Sequence, residues 1–258
     1  MKPHLFRGLI SLSVALNVLG VIGAVALVEK KGGLSWLDRQ VPRVLVAMQA
    51  EQIRSGFPST TLSVYGQLSV GPDDIVLLGD DLLAYGEWHE LFGDPRAKNR
   101  AIVGDDTHTM LKRLEQIVGG GPRHVVVSCG SNNIRSRIPY AQTAAEYAQI
   151  VAMLASQSGD TDLWLLPVLP VNKRLYRRWV APDVPYMHRP GRKDVEALNG
   201  VIRALAVNRP RVHFVDLREL VDPAGELRQE YTLDGLHLNG EGFQRVAMRL
   251  RHELPRNR

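Results

Sequence analysis

Asp74-Ile75-Val76-Leu77-Leu78-Gly79-Asp80-Asp81-Leu82 decides the fold of this 258-residue chain. Ile75 to Leu78 is an unbroken apolar run, as expected of a strand covered on both faces; a strand with one wet face would alternate with polar residues. Gly79-Asp80 supplies turn chemistry at its end. The residues from Leu82 to Leu91 then carry a helical pattern. In an open α/β sheet, ligands bind just beyond the carboxyl ends of the strands. Asp81 is the first residue past the turn and is therefore the first position to question for chemistry.

The same alternation continues outward. Further strands are expected at Val125–Cys129, Leu163–Leu169 and Val212–Val215, with a weaker one at Arg100–Val103. Helices are expected at Thr107–Val118, Ala141–Gln157, Lys193–Ala206 and Gly240–Glu253. Strands separated by helices of this length form right-handed parallel crossovers. The expected fold class is α/β, a three-layer α/β/α sandwich of about five parallel strands. Asp81, the run Gly130-Ser131-Asn132-Asn133 and Lys173 each follow an apolar strand run, so they share one edge of the domain.

Composition narrows the function classes. The chain is 45% hydrophobic and 23% charged, which suits a globular domain with a full core. Its net charge of +5 is compatible with anionic partners, but no zinc-finger, RNP or helix-turn-helix pattern points to nucleic acid. Cys129 is the only cysteine, which excludes a disulfide framework and a Cys-based metal site. No metal and no cofactor is expected.

The expected organisation is an N-terminal segment over 1–28, a linker with an amphipathic helix over 29–72, and the α/β domain over 73–258. Gly8 to Val28 carries no charge and is long enough to cross about 30 Å of hydrocarbon as a helix. Lys2 and Arg7 precede it, which favours a cytoplasmic N-terminus and an extracytoplasmic domain, although Lys30 and Lys31 follow it. A membrane anchor is the favoured reading. Ala24-Val25-Ala26 also fits a signal-peptide cleavage site, so a cleaved signal peptide is the alternative. Trp36 to Ile53 carries apolar residues at helical spacing.

Four blocks in order carry a family resemblance: Gly79-Asp80-Asp81-Leu82, then Asn99-Arg100-Ala101-Ile102-Val103-Gly104, then Gly130-Ser131-Asn132-Asn133, and finally Asp234-Gly235-Leu236-His237-Leu238. This pattern resembles the SGNH (GDSL-type) hydrolases, and among them the platelet-activating-factor-acetylhydrolase-like esterases, over roughly Asp73 to Glu253. The resemblance implies a flavodoxin-like sheet. It also implies a serine nucleophile at position 81, His237 as general base and Asp234 as the group that orients it. The oxyanion hole would comprise the backbone amide of Gly104, the side-chain amide of Asn132 and the backbone amide of residue 81.

Asp81 departs from that pattern. It has no nucleophilic hydroxyl, and at neutral pH a carboxylate only accepts hydrogen bonds. One of its oxygens can fill the oxyanion hole while the other pairs with protonated His237. The resulting expectation is a catalytically silent hydrolase fold used as a binding or assembly subunit. The alternative is an active esterase, deacylase or acyltransferase on lipid or polysaccharide acyl esters. Lys173 to Lys193 is rich in arginine and aromatic residues, including Arg174, Tyr176, Arg177, Arg178 and Trp179. That composition is typical of interface hot spots, so the segment is expected to overhang the site or to dock a protein, an anionic lipid or an acidic polysaccharide.

Overall fold

In the computed structural model the described residues are 26–27, 29–31, 33, 60–156, 160–179 and 190–254. The chain divides into two units, Met1–Arg54 and Ser55–Arg258. In the first, residues 26–27 and 29–31 include a helical turn in which the Lys31 amide donates to the Leu27 carbonyl at 3.1 Å. Apart from Ala26 and Leu27, the apolar run Gly8 to Val28 lies outside the described residues, as does the expected helix at Trp36 to Ile53. Among the described residues, no helix is long and apolar enough to cross a membrane.

The second unit is built on β1 (Ile75–Gly79), β2 (Ala97–Asn99), β3 (His124–Ser128), β4 (Asp162–Leu165) and β5 (Val212–Phe214). They form one sheet in the order β2-β1-β3-β4-β5, and every pairing is parallel. This is the doubly wound order of flavodoxin-like folds. The central strands β1 and β3 are buried at every residue, which is why Ile75–Leu78 and Val125–Val127 are apolar without alternation.

Each face of the sheet covers its own core. On one side, Val76, Leu78, Val125 and Val127 pack against Met110, Tyr147, Ile150 and Leu198. On the other, Leu77, Val126 and Trp164 meet Trp88, Phe243, Val246 and Leu250. Fully burying side chains of this size stabilises the fold by about 1.5–3 kcal/mol each before the entropy of ordering is counted. The helices α6 (Tyr140–Ser156), α8 (Arg192–Ala206) and α9 (Gly240–Glu253) supply much of that cover. Asn239 caps α9 by accepting from the Gly242 amide at 2.9 Å.

Three expected elements differ in the structure. Leu82–Leu91 is not one helix but two, α1 (Asp81–Ala84) and α2 (Trp88–Phe92). The Asn99 side-chain amide takes the carbonyls of Leu83, Ala84 and Gly86 at 3.1–3.3 Å, and the Trp88 indole donates to Leu83 at 2.7 Å. Those carbonyls are thereby withdrawn from a continuous helical ladder. A Cβ on Gly86 would lie 2.6 Å from the Trp88 ring, so the turn depends on glycine there. The weak strand expected at Arg100–Val103 occurs three residues earlier, as β2. Likewise, Thr107–Val118 splits at Leu114 into α3 (Thr107–Arg113) and α4 (Glu115–Val118).

Candidate active site

β1 delivers Asp80 and Asp81 to the carboxyl edge of the sheet. Asp80 caps α1, its Oδ1 accepting from the Leu82 amide at 3.1 Å. Asp81 is the first residue of α1. β3 leads through Gly130 into α5 (Ser131–Arg135), which carries Asn132. The loop after β2 brings Gly104, in the left-handed region at φ +83°, a conformation that costs glycine nothing. The turn before α9 brings Asp234 and His237.

These groups converge. Asp81 Oδ2 accepts from the Gly104 amide at 3.1 Å and from Asn132 Nδ2 at 2.6 Å. Asp81 Oδ1 lies 3.6 Å from His237 Nε2, an ion-pair separation rather than a hydrogen bond. His237 Nδ1 is 2.5 Å from Asp234 Oδ2. The imidazole is thus flanked by a carboxylate on each nitrogen.

A backbone clamp holds the Asp234–His237 turn. Asp234 Oδ1 accepts from the amides of Leu236 at 2.9 Å and His237 at 2.8 Å. Thr232 Oγ1 accepts from the Gly235 amide at 2.9 Å and donates to the His237 carbonyl at 2.6 Å. Gly235 sits at φ +87°, and a Cβ there would come within 2.5 Å of the Asn172 carbonyl and the Tyr176 amide.

The electrostatics follow from this packing. Burial works against ionisation of Asp81, but the contacts from His237, Asn132 and Gly104 outweigh it and lower its pKa to about 2. Burial likewise opposes the charge on His237, yet Asp234 and Asp81 together raise its pKa to about 9. Burial is also overcome at Asp234, whose carboxyl is held well below the usual range by its bonds from His237 and the turn amides. Asp80 behaves oppositely: burial, reinforced by the charge of Asp81, raises its pKa to about 8. Near neutral pH the centre therefore holds a fixed imidazolium between two carboxylates.

The free space is small. A cavity of about 30 Å³ is lined by Asp81, Arg135, Val168, Leu169, Leu236 and His237, among others. That is roughly the liquid-volume share of a single water molecule. Tyr85 stands edge-on to the His237 ring at 5.8 Å. Among the described residues, no group of three His, Cys, Asp or Glu side chains is arranged to hold a metal ion.

The structure brings Asp81, Gly104, Asn132, Asp234 and His237 together. It treats the basic segment differently. Lys173–Trp179 forms α7, and the Asn172 amide donates to the Gly235 carbonyl at 2.8 Å. Arg174 is exposed and bonds Gln229. Tyr176 is only 4% exposed, so it belongs to the packing behind the turn and not to a binding face. Arg177, Arg178 and Trp179 lie in α7, but their side chains and all of residues 180–189 are outside the described residues.

Sequence reasoning passed over three supporting groups. Arg113, 5% exposed, pairs with Asp105 through Nε at 2.6 Å and donates to the carbonyls of Arg100 at 2.7 Å and Gly79 at 3.3 Å. It thereby joins the end of β1 to the loop bearing Gly104. Arg135 Nη1 donates to Asn132 Oδ1 at 3.1 Å and so turns the amide nitrogen toward Asp81. Thr232 is the third. No periodicity or turn pattern marks any of them; only their partners do.

Comparisons with known proteins agree with this geometry. A family model described as GDSL-like lipase/acylhydrolase matches residues 76–245. The chain is 28% identical over 188 residues to platelet-activating factor acetylhydrolase IB subunit alpha1 of Pongo abelii, covering 69% of this chain and 73% of that protein. It is 28% identical over 192 residues to the alpha2 subunit of Gallus gallus, covering 70% and 75%. A solved structure from Streptococcus pneumonia, described as a platelet activating factor, superposes with a TM-score of 0.72 at 28% identity, covering 82% of this chain and 99% of that one.

Proposed function

Because the chain belongs to the GDSL-like lipase/acylhydrolase family, we propose that it is a hydrolase-fold protein whose ester-cleaving centre is silent and which serves as a binding or assembly subunit. The observation that carries this reading is the position of Asp81 Oδ2, which takes both the Gly104 amide at 3.1 Å and the Asn132 amide at 2.6 Å. Those are the donors an acyl-transfer site holds open for a developing oxyanion. A carboxylate already there leaves the transition state nothing to gain. Removing a serine nucleophile from a comparable triad costs about 10⁶ in turnover.

His237 supports the same reading. A general base must be neutral before it can take a proton, and with a pKa of about 9 this imidazole is mostly cationic at neutral pH. The cleft beside it, about 30 Å³, is also narrow for an acyl ester. The intact Asp234–His237 pair favours a second reading, in which the centre performs acyl transfer or hydrolysis with Asp81 in an unconventional role.

An aryl acetate assay separates the two. Wild-type protein should show no hydrolysis above background. Asp81→Ser should gain a hydroxyl, free both donors and show weak turnover that vanishes in Asp81→Ser/His237→Ala. Wild-type turnover abolished by either Asp81→Ala or His237→Ala would overturn the silent reading.

The same proposal extends to location. Gly8 to Val28 serves as a membrane anchor, or alternatively as a cleaved signal peptide, with the α/β domain outside the cytoplasm. The segment from Lys173 to Lys193 offers cations to an anionic lipid, an acidic polysaccharide or a protein partner. Carbonate-resistant membrane association that is lost when 1–28 is deleted would support the anchor, and release by carbonate would refute it.

A further inference from the structure

The centre around Asp81 occupies the carboxyl edge of the sheet, and it is nearly filled. A much larger cavity, about 550 Å³, opens at the opposite edge. Its lining includes Ile75, the first residue of β1, and His124, the first residue of β3. Volumes of about 300–1,000 Å³ are usual for small-molecule sites. No step of the chemistry above uses this cavity.

Its walls divide by chemistry. Ile75, Phe92, Met248 and Leu254 give it an apolar side. Met248 is 53% exposed and offers this wall a flexible, adaptable thioether. The other side is cationic. Arg96 is already paired with Asp94, two nitrogens meeting the carboxylate at 2.6–3.2 Å. Arg123 and Arg251 are exposed and have no carboxylate within ion-pair distance among the described residues; Asp73 is the one lining carboxylate in the same condition. The two free guanidinium groups outweigh that single carboxylate, and His124 and His252 add titratable donors.

We propose that this cavity binds a soluble single-chain amphipathic anion, with its carboxylate or phosphate head at Arg123 and Arg251 and its short apolar tail against Phe92, Met248 and Leu254. Guanidinium groups suit such heads because their planar donors match an oxyanion in bidentate fashion. The apolar wall contributes through area removed from water. A neutral ligand of the same length would use only that wall, and a compact inorganic anion would use only the arginines. The site stands independently of whether the Asp81 centre turns over.

Octanoate below its micelle concentration is the probe, titrated into the full chain by calorimetry. The expected result is saturable binding of one octanoate per chain, with octanol at least about tenfold weaker. Arg123→Glu/Arg251→Glu should weaken octanoate at least about fivefold, since each exposed charge contact is worth little alone. The control Lys112→Glu/Arg209→Glu carries the same change in net charge on other exposed positions and should stay within about twofold. Asp81→Asn should also stay within about twofold, because it alters only the opposite edge. Equal affinity for octanol, equal loss in both charge-reversal variants, or loss in Asp81→Asn would each overturn the assignment. Binding confined to anionic vesicles, with none to octanoate or octyl phosphate, would overturn it in favour of a membrane surface.

Discussion

Replacing Asp81 with asparagine tests the charge pattern at the centre with little change of shape. The Asp81–His237 separation is 3.6 Å, and the two side chains are 13% and 30% exposed. At that distance the attraction is about 1 kcal/mol in a water-like medium and about 4–5 kcal/mol at an effective dielectric of about 20. The centre is partly wet, so a value near 1–2 kcal/mol is appropriate, equivalent to roughly one pKa unit. Asp234, closer at 2.5 Å, is left in place. The His237 pKa should therefore fall from about 9 toward roughly 8 while staying above the ordinary 6.5. Histidine NMR titration, assigned with His237→Gln, measures this directly. Stability should follow with a fixed sign. His237 is charged and paired in the folded state, so its contribution is fully present below 6.5 and is lost as pH rises through about 9. Asp81→Asn should flatten that decline. A wild-type pKa near 6.5, or a variant pKa within about 0.3 unit of wild type, would refute the coupling.

Four other outcomes follow from the same structure. Asp80 keeps a proton up to about 8 when folded but loses it near its ordinary 3.8 when unfolded, so stability should fall with rising pH across that range, and Asp80→Asn should remove the part of the slope that lies below 6.5, where His237 does not contribute. Asp81, at about 2, adds stability above 3.8 that is constant through neutral pH and is lost as pH falls through 2, so the Asp80 and His237 shifts should set the trend above pH 5: urea midpoints should be higher near pH 5 than near pH 8.5, and a rising trend would contradict those two assignments. Arg113→Ala should destabilise by about 3–5 kcal/mol in urea titration, because it leaves Asp105 buried without its cation; a loss under about 1 kcal/mol would mean that solvent reaches the pair. Gly235→Ala should cost at least about 1–3 kcal/mol and disturb the His237 titration, since the new Cβ meets backbone at 2.5 Å; an unchanged melting temperature would show that the turn can shift.

Much of the fold is legible in local pattern. The runs Ile75–Leu78 and Val125–Cys129 read as buried strands because each is nearly continuously apolar, and the structure buries both, the second as a strand ending at Ser128. Gly240–Glu253 reads as a helix at its observed bounds, since its apolar spacing is local to the segment. Leu82–Leu91 misleads for the opposite reason. Its pattern is helical throughout, but Asn99, on another strand, takes the carbonyls that a continuous helix would use.

The same division runs through the centre. Sequence alone determined which residue types stand at the ends of the strands: a carboxylate at 81, an amide at 132, and an acid three residues before a histidine at 234 and 237. It also determined that Asp81 lacks a nucleophilic hydroxyl, because that is covalent chemistry. Only the tertiary structure decided where the carboxylate points, which of its oxygens meets Gly104 and Asn132, and how far His237 stands from the other. It likewise decided that Tyr176 is buried behind the turn and not displayed on a surface. Side-chain direction, burial and the pKa shifts they cause depend on groups far apart in the chain, and no local pattern encodes the distance between them.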